Sequence, residues 1–172
     1  MKGLGKYIWA ALAIAVISHF VLVHAAPRAM MSVAISRIGE AGANRWQLAD
    51  RVTPLSRTIV RPSPDLAYSA CVFDLSRGPV RIAAARWDAY MSLSLYDSES
   101  DNFYVVSDME APDGFDVIVV RRQRDAPEDA QNVIISPSAK GVALVRRLAP
   151  TPDRFAAAER ARADDICAPV SR

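Results

Sequence analysis

The sequence predicts a mainly β protein: a β-sandwich-like domain behind an N-terminal transmembrane helix, with a membrane-proximal helix before the sheets and a C-terminal helix after them. Three observations predict it. Residues 7–26, YIWAALAIAVISHFVLVHAA, contain no Asp, Glu, Lys or Arg. After Pro54 the chain becomes a series of short apolar runs divided by Pro, Gly and charged turns, at about 8–12-residue spacing. Thr151-Pro152 then opens an Ala- and Arg-rich stretch with a helix-start signature.

The N-terminal run comes first. At the helical rise its 20 residues span about 30 Å, the thickness of a bilayer's hydrocarbon core. Tyr7 and Trp9 sit at one end, where amphipathic rings favour the interface, and Pro27-Arg28 close the other. A cleaved signal peptide is the rival reading, with Lys2 and Lys6 as its basic region and a cut near Ala26. The run exceeds the usual 7–15-residue signal core, and His24 fits poorly where a small residue is preferred. The uncleaved anchor is therefore the expectation, and mass spectrometry of the mature N-terminus distinguishes the two. Lys2 and Lys6 favour a cytoplasmic N-terminus, although Arg28, Arg37 and Arg45 follow the span. The expected division is residues 1–6 cytoplasmic, 7–26 transmembrane, 27–54 a membrane-proximal helical linker and 55–172 the β-rich domain. The location is then the bacterial inner membrane, single pass, with the domain in the periplasm.

Residues 28–52 carry Met30, Met31, Ala34, Ile35 and Ile38 at near-helical spacing, with a break expected near Gly39 and Gly42. That stripe predicts a helix lying on the membrane or packing on the domain, the commoner fate of such a stripe. Strands are expected over residues 68–75, 80–85, 90–96, 103–107, 115–121, 132–135 and 141–148. The 90–96 run shows why: Met91, Leu93 and Leu95 face one way, and Ser92, Ser94 and Tyr96 the other. A helix is expected over residues 152–165, capped by Thr151.

A chain of 172 residues has room for one domain. The net charge of +2 points to no particular partner. Basic residues are three Lys and eighteen Arg, spread along the chain. The small cluster Arg121-Arg122-Gln123-Arg124 lacks the broad basic face and aromatics of nucleic-acid binding, so no nucleic-acid partner is expected. Both histidines, His19 and His24, lie in the apolar run. Their absence after it excludes a Ser-His-Asp triad, a Cys-His pair and any His-built metal site in the globular part. The alternating Asp97-Ser98-Glu99-Ser100-Asp101 lacks the fixed Gly and terminal Glu of a Ca²⁺ loop and reads as a solvated hairpin. Neither metal nor cofactor is expected. Cys71 and Cys167 are the only cysteines; outside the cytoplasm they either form a bridge from the tail to the sheet or stay free.

The best candidate pocket is Arg61, Asp65 and Tyr68, within eight residues that include Pro62 and Pro64. As a structural corner, Asp65 caps a turn, Arg61 pairs with it and Tyr68 enters the core. As a site, Asp65 is a base and Arg61 binds an anion.

These residues also carry a resemblance. The block Arg61-Pro62-Ser63-Pro64-Asp65-Leu66-Ala67-Tyr68-Ser69 is followed by Phe73-Asp74-Leu75-Ser76-Arg77-Gly78-Pro79-Val80 and then by Tyr90, Leu93, Leu95, Asp97, Asn102 and Phe103. In order and spacing these blocks resemble the bacterial domain-of-unknown-function family numbered 1254, over roughly residues 55–160. Family members usually have Asn and Thr in the first block, where this chain has Ser63 and Leu66, so a pocket lined by those side chains would be partly lost here. The resemblance implies a β-sandwich-like fold, an envelope location and a protein of family 1214, a frequent neighbour, as a partner; it implies no established reaction. Two functions from different classes follow. One is a membrane-anchored envelope protein that binds a ligand or another protein. The other is an enzyme of acid–base or hydrolytic chemistry using Asp65 and Tyr68, completed by a partner.

Overall fold

The computed structural model describes residues 4–56 and 61–170; Lys2 lies outside them. Helix α1, Leu4–Ile38, is 35 residues long. It is long and apolar enough to cross a membrane, with a mean hydropathy of 2.1 and nothing in that window buried. It does not stop at the expected boundary, because Pro27 lies inside it. A proline there lacks the N–H that Val23 O would accept. Local contacts brace this point: Arg28 Nη1 donates to His24 O at 2.7 Å, and Pro27 O accepts Ser100 Oγ at 2.9 Å. The span and the membrane-proximal stripe are thus one helix. It ends where Gly39 and Gly42 predict, in a 3₁₀ turn over Gly39–Ala41.

The linker expected to run helically to residue 54 instead enters the sheet early. Strand β1, Trp46–Leu48, pairs antiparallel with β2, Leu66–Asp74. Asn44 causes the change. At φ 57° it turns the chain, and its side-chain amide exchanges hydrogen bonds with Asp74 N (2.7 Å) and Asp74 O (3.1 Å). That is a ladder rung made by a side chain, which sets β1 beside β2.

The remaining strands are β3 (Val80–Ala85), β4 (Met91–Tyr96), β5 (Asn102–Ser107), β6 (Gly114–Val120), β7 (Val133–Ile135), β8 (Lys140–Leu148) and β9 (Ile166–Pro169). One sheet has the order β1-β2-β8-β4-β5 and the other β7-β6-β3-β9. The only parallel pair among the described strands is β6 with β7. Alternation sends Cys71, Phe73, Leu93, Leu95, Ala143 and Val145 from the first sheet into one core with Val80, Ile82, Phe115, Val117 and Val119 from the second. Helix α2, Pro152–Arg162, starts at Thr151, whose Oγ1 accepts Arg154 N at 3.2 Å. It packs Phe155 and Ala158 against Ala67 and Ala149. Two buried arginines fasten this end. Arg162 donates to Tyr68 O and Ala49 O, and Arg147 grips Asp165.

Gly141 shows how tightly the first sheet is drawn. It sits opposite Phe73 in the β2–β8 ladder, and a Cβ there would collide with the Phe73 ring and with Tyr96 O. Gly141→Ala should destabilise by about 1–3 kcal/mol through overpacking, read as a lower denaturation midpoint at unchanged slope.

Candidate functional site: a cleft between the long helix and the first sheet

The outer face of the first sheet is built from the residues that alternate away from the core. These are Tyr68, Ala70 and Val72 on β2, Val142, Leu144 and Arg146 on β8, and Ser92, Ser94 and Tyr96 on β4. The last turns of α1 lie over part of this face. Met31 is buried against Val72 and Val142, with Ala34, Ile35 and Ile38 packed around them. These α1 residues recur at helical spacing, which is why one face of the helix meets the sheet. The acidic turn adds a second fastening, since Arg28 pairs with Glu99 at 2.6 Å. That turn is therefore docked on α1 rather than solvated throughout. Asp97, buried within it, accepts Glu99 N and Asp101 N on Oδ1, so that oxygen serves the backbone.

Helix and sheet leave an open cleft of about 580 Å³ between them. Met30, Met31, Ala34 and Ile38 line one wall, and Val142 and Leu144 form the floor. Polar side chains at its edge are Arg61, Tyr68, Tyr96 and Arg146, with Pro62 and Ser100 beside them. The lining holds two arginines and, among the described residues, no Asp or Glu. Arg146 is half-buried and donates from Nη1 to Ser94 Oγ (3.0 Å) and from Nη2 to Tyr96 Oη (3.1 Å). Both acceptors are neutral hydroxyls, and no carboxylate pairs with Arg146 among the described residues.

Burial pushes the Tyr96 phenol up, but the hydrogen bond and charge of Arg146, with hydrogen bonds from Asn102 and Ser94, together outweigh it, so its pKa lies below the usual tyrosine value. Burial, with Glu110 nearby, pushes Tyr104 the other way. In an ultraviolet titration Tyr96 should ionise before Tyr104, and Arg146→Gln should narrow that gap. An unchanged order and spacing in the variant would contradict the contact.

The sequence-predicted trio separates in space. Arg61 and Tyr68 line the cleft; Asp65 is exposed and is not among the lining residues. No ion pair joins Arg61 to Asp65 among the described residues. Asp65 contributes backbone, accepting Ala149 N at 2.7 Å, and its own N–H reaches Ser63 Oγ at 3.4 Å. Tyr68 does not enter the core: its Oη accepts Ser63 N at 2.8 Å, which folds the proline-rich turn back on β2. Arg146 and Tyr96 were not singled out as site residues. The available signal was the strand alternation, which puts both on the outward face, Arg146 beside Val142 and Leu144 and Tyr96 beside Ser92 and Ser94.

Elsewhere, Arg121 donates to Ser136 O at 2.9 Å and lies outside the cleft. His24 Nδ1 is 2.8 Å from Phe20 O within its own helix. Cys71 on β2 and Cys167 on β9 are joined in a disulfide that crosses the core between the two sheets.

Two facing β sheets, one shared core and a long helix whose last turns dock on one outer face define the class: a helix-bearing, two-sheet β domain. Residues 43–169 match the family described as Protein of unknown function (DUF1254), and the chain belongs to that family. The match begins just before β1, in keeping with that strand's place in the sheet. Among curated proteins no match is found. Of solved structures, the VPA0106 protein from Vibrio parahaemolyticus is similar in fold, with a TM-score of 0.65 at 13% identity over 88% of this chain. The chain spans 40% of that protein's length. An uncharacterised protein from Burkholderia cenocepacia matches over 69% of this chain and 34% of its own, at 16% identity and a TM-score of 0.41.

Proposed function

We propose that the protein is a membrane-anchored binding module of the bacterial envelope. In this reading α1 is a single-pass anchor, the β-sandwich stands on the periplasmic side and the cleft is its ligand site. One observation carries the reading: an arginine without an acidic partner sits in a cleft whose second wall is the anchor helix itself. A half-buried guanidinium held only by neutral hydroxyls is placed to receive an anion. The buried disulfide supports an oxidising compartment for the domain. An enzyme acting through Asp65 and Tyr68 finds less support, because Asp65 lies outside the cleft and the Tyr68 hydroxyl is engaged by the Ser63 N–H. A protein partner, such as a family 1214 protein, is the second reading, and it rests on the family resemblance alone.

The test is native mass spectrometry of the full chain released from membranes in mild detergent. Binding predicts a small-molecule adduct on the wild type that is lost in Arg146→Gln. A bare protein in both samples, or an equal adduct in both, would contradict the site. A C-terminal phosphatase fusion that is inactive where a cytoplasmic reporter is active would reverse the orientation.

A further inference from the structure

We propose that the cleft takes a single-chain amphipathic carboxylate, a fatty acid, with its head on Arg146 and its chain along α1. This inference rests on the binding reading above and adds the chemistry of the ligand. Charge selects the head group. The lining offers two guanidinium groups and no carboxylate among the described residues. A guanidinium meets a carboxylate through two parallel N–H···O bonds, a geometry the Ser94 and Tyr96 hydroxyls cannot supply. Next to Arg146 in the β4–β8 register lies Ser92, which is buried and whose Oγ has no partner. Ser92 itself lies beneath the sheet surface and does not line the cleft, so the guanidinium of Arg146 is what marks its head-group end.

The wall selects the tail. Met30, Met31, Ala34 and Ile38 continue the same helix that carries the apolar span. At 1.5 Å per residue this wall begins about 6 Å beyond residue 26, within the head-group layer of a bilayer. Met30 and Val33 remain exposed there, so apolar surface runs from the span to the cleft mouth. An acyl chain can follow that path without crossing open water. The volume of about 580 Å³ falls inside the range of about 300–1,000 Å³ typical of small-molecule sites.

The experiment uses the full chain in phosphatidylcholine nanodiscs with a diazirine-bearing palmitate, followed by peptide mapping of the photo-crosslinks. Labelling is expected over residues 30–38 and 142–146. Oleate should compete with it and oleyl alcohol should not. Arg146→Gln should cut labelling about tenfold, the effect of losing one charge-assisted contact. Ala34→Trp, which fills the cleft and keeps the arginine, should cut it as well, while Arg121→Gln should leave it unchanged. Labelling confined to the span, or equal competition by the alcohol, overturns the inference. If inorganic phosphate raises the melting temperature of the wild type but not of Arg146→Gln, and palmitate does not label, the fatty-acid inference falls and the binding site stands. If neither probe responds and no adduct is carried from membranes, both fall.

Discussion

Asp165→Ala should destabilise the protein by about 3–5 kcal/mol, a large share of the roughly 5–15 kcal/mol that holds a typical domain folded. The carboxylate is fully buried, as is its partner Arg147. The pair is bidentate, Nη1 to Oδ2 and Nη2 to Oδ1, both at 2.7 Å. Asp165 Oδ1 also accepts Ala85 N at 2.9 Å, and Arg147 Nη2 donates to Ala85 O at 3.0 Å. Four bonds thus join β8, the end of β3 and the segment between α2 and β9. Removing the carboxylate strands a guanidinium in a buried site, and that stranded charge is the main cost. Replacing both residues by apolar ones, Arg147→Met with Asp165→Leu, should recover most of the loss, because neither charge is then left uncompensated. Denaturant unfolding of the two variants checks this. A single variant as stable as the double would show that the pair is not the cause.

Loss of the disulfide should have an effect of similar size. Cys71 and Cys167 are 96 positions apart, and a cross-link closing so long a loop is worth about 2–5 kcal/mol. Cys71→Ser with Cys167→Ser should lower the denaturation midpoint accordingly, and strand β9 should lose hydrogen-exchange protection first. That strand is only four residues long and pairs with β3 alone, so little else holds it. Both sulfurs are buried in the core, so a reductant should act on the folded protein only as fast as β9 opens. A double variant with wild-type stability, or a native protein reduced as fast as an unfolded one, would contradict the bridge's role.

Strand identity was legible wherever alternation ran for six residues or more. The 90–96 run became β4, and the 80–85 run became β3 with its bounds unchanged. Strands β1 and β9 were not legible because each is held by partners distant in sequence. Trp46–Leu48 is positioned by Asn44 bonding to Asp74, and Ile166–Pro169 by the β3 ladder and the disulfide. Neither is long enough to show a period. Pro27 misled in a different way. A proline normally marks a helix end, but here the acidic turn and Arg28 brace the chain around it. The candidate site was half legible. Arg61 and Tyr68 lie close in sequence and both reached the cleft. Tyr96 and Arg146 are 50 positions apart and meet only through the β4–β8 register, which no local pattern specifies.

The absence of a flexible joint between the apolar span and the cleft has a mechanical consequence. Twelve residues separate position 26 from the end of α1, a rise of about 18 Å. In the membrane-anchored reading proposed above, the first part of that rod stands in the bilayer, and the domain is carried on a mast rather than wandering as a tethered ball would. In that reading, tilting or turning the embedded half would swing the cleft with it, and bilayer thickness would set how far the arginines stand from the lipid surface.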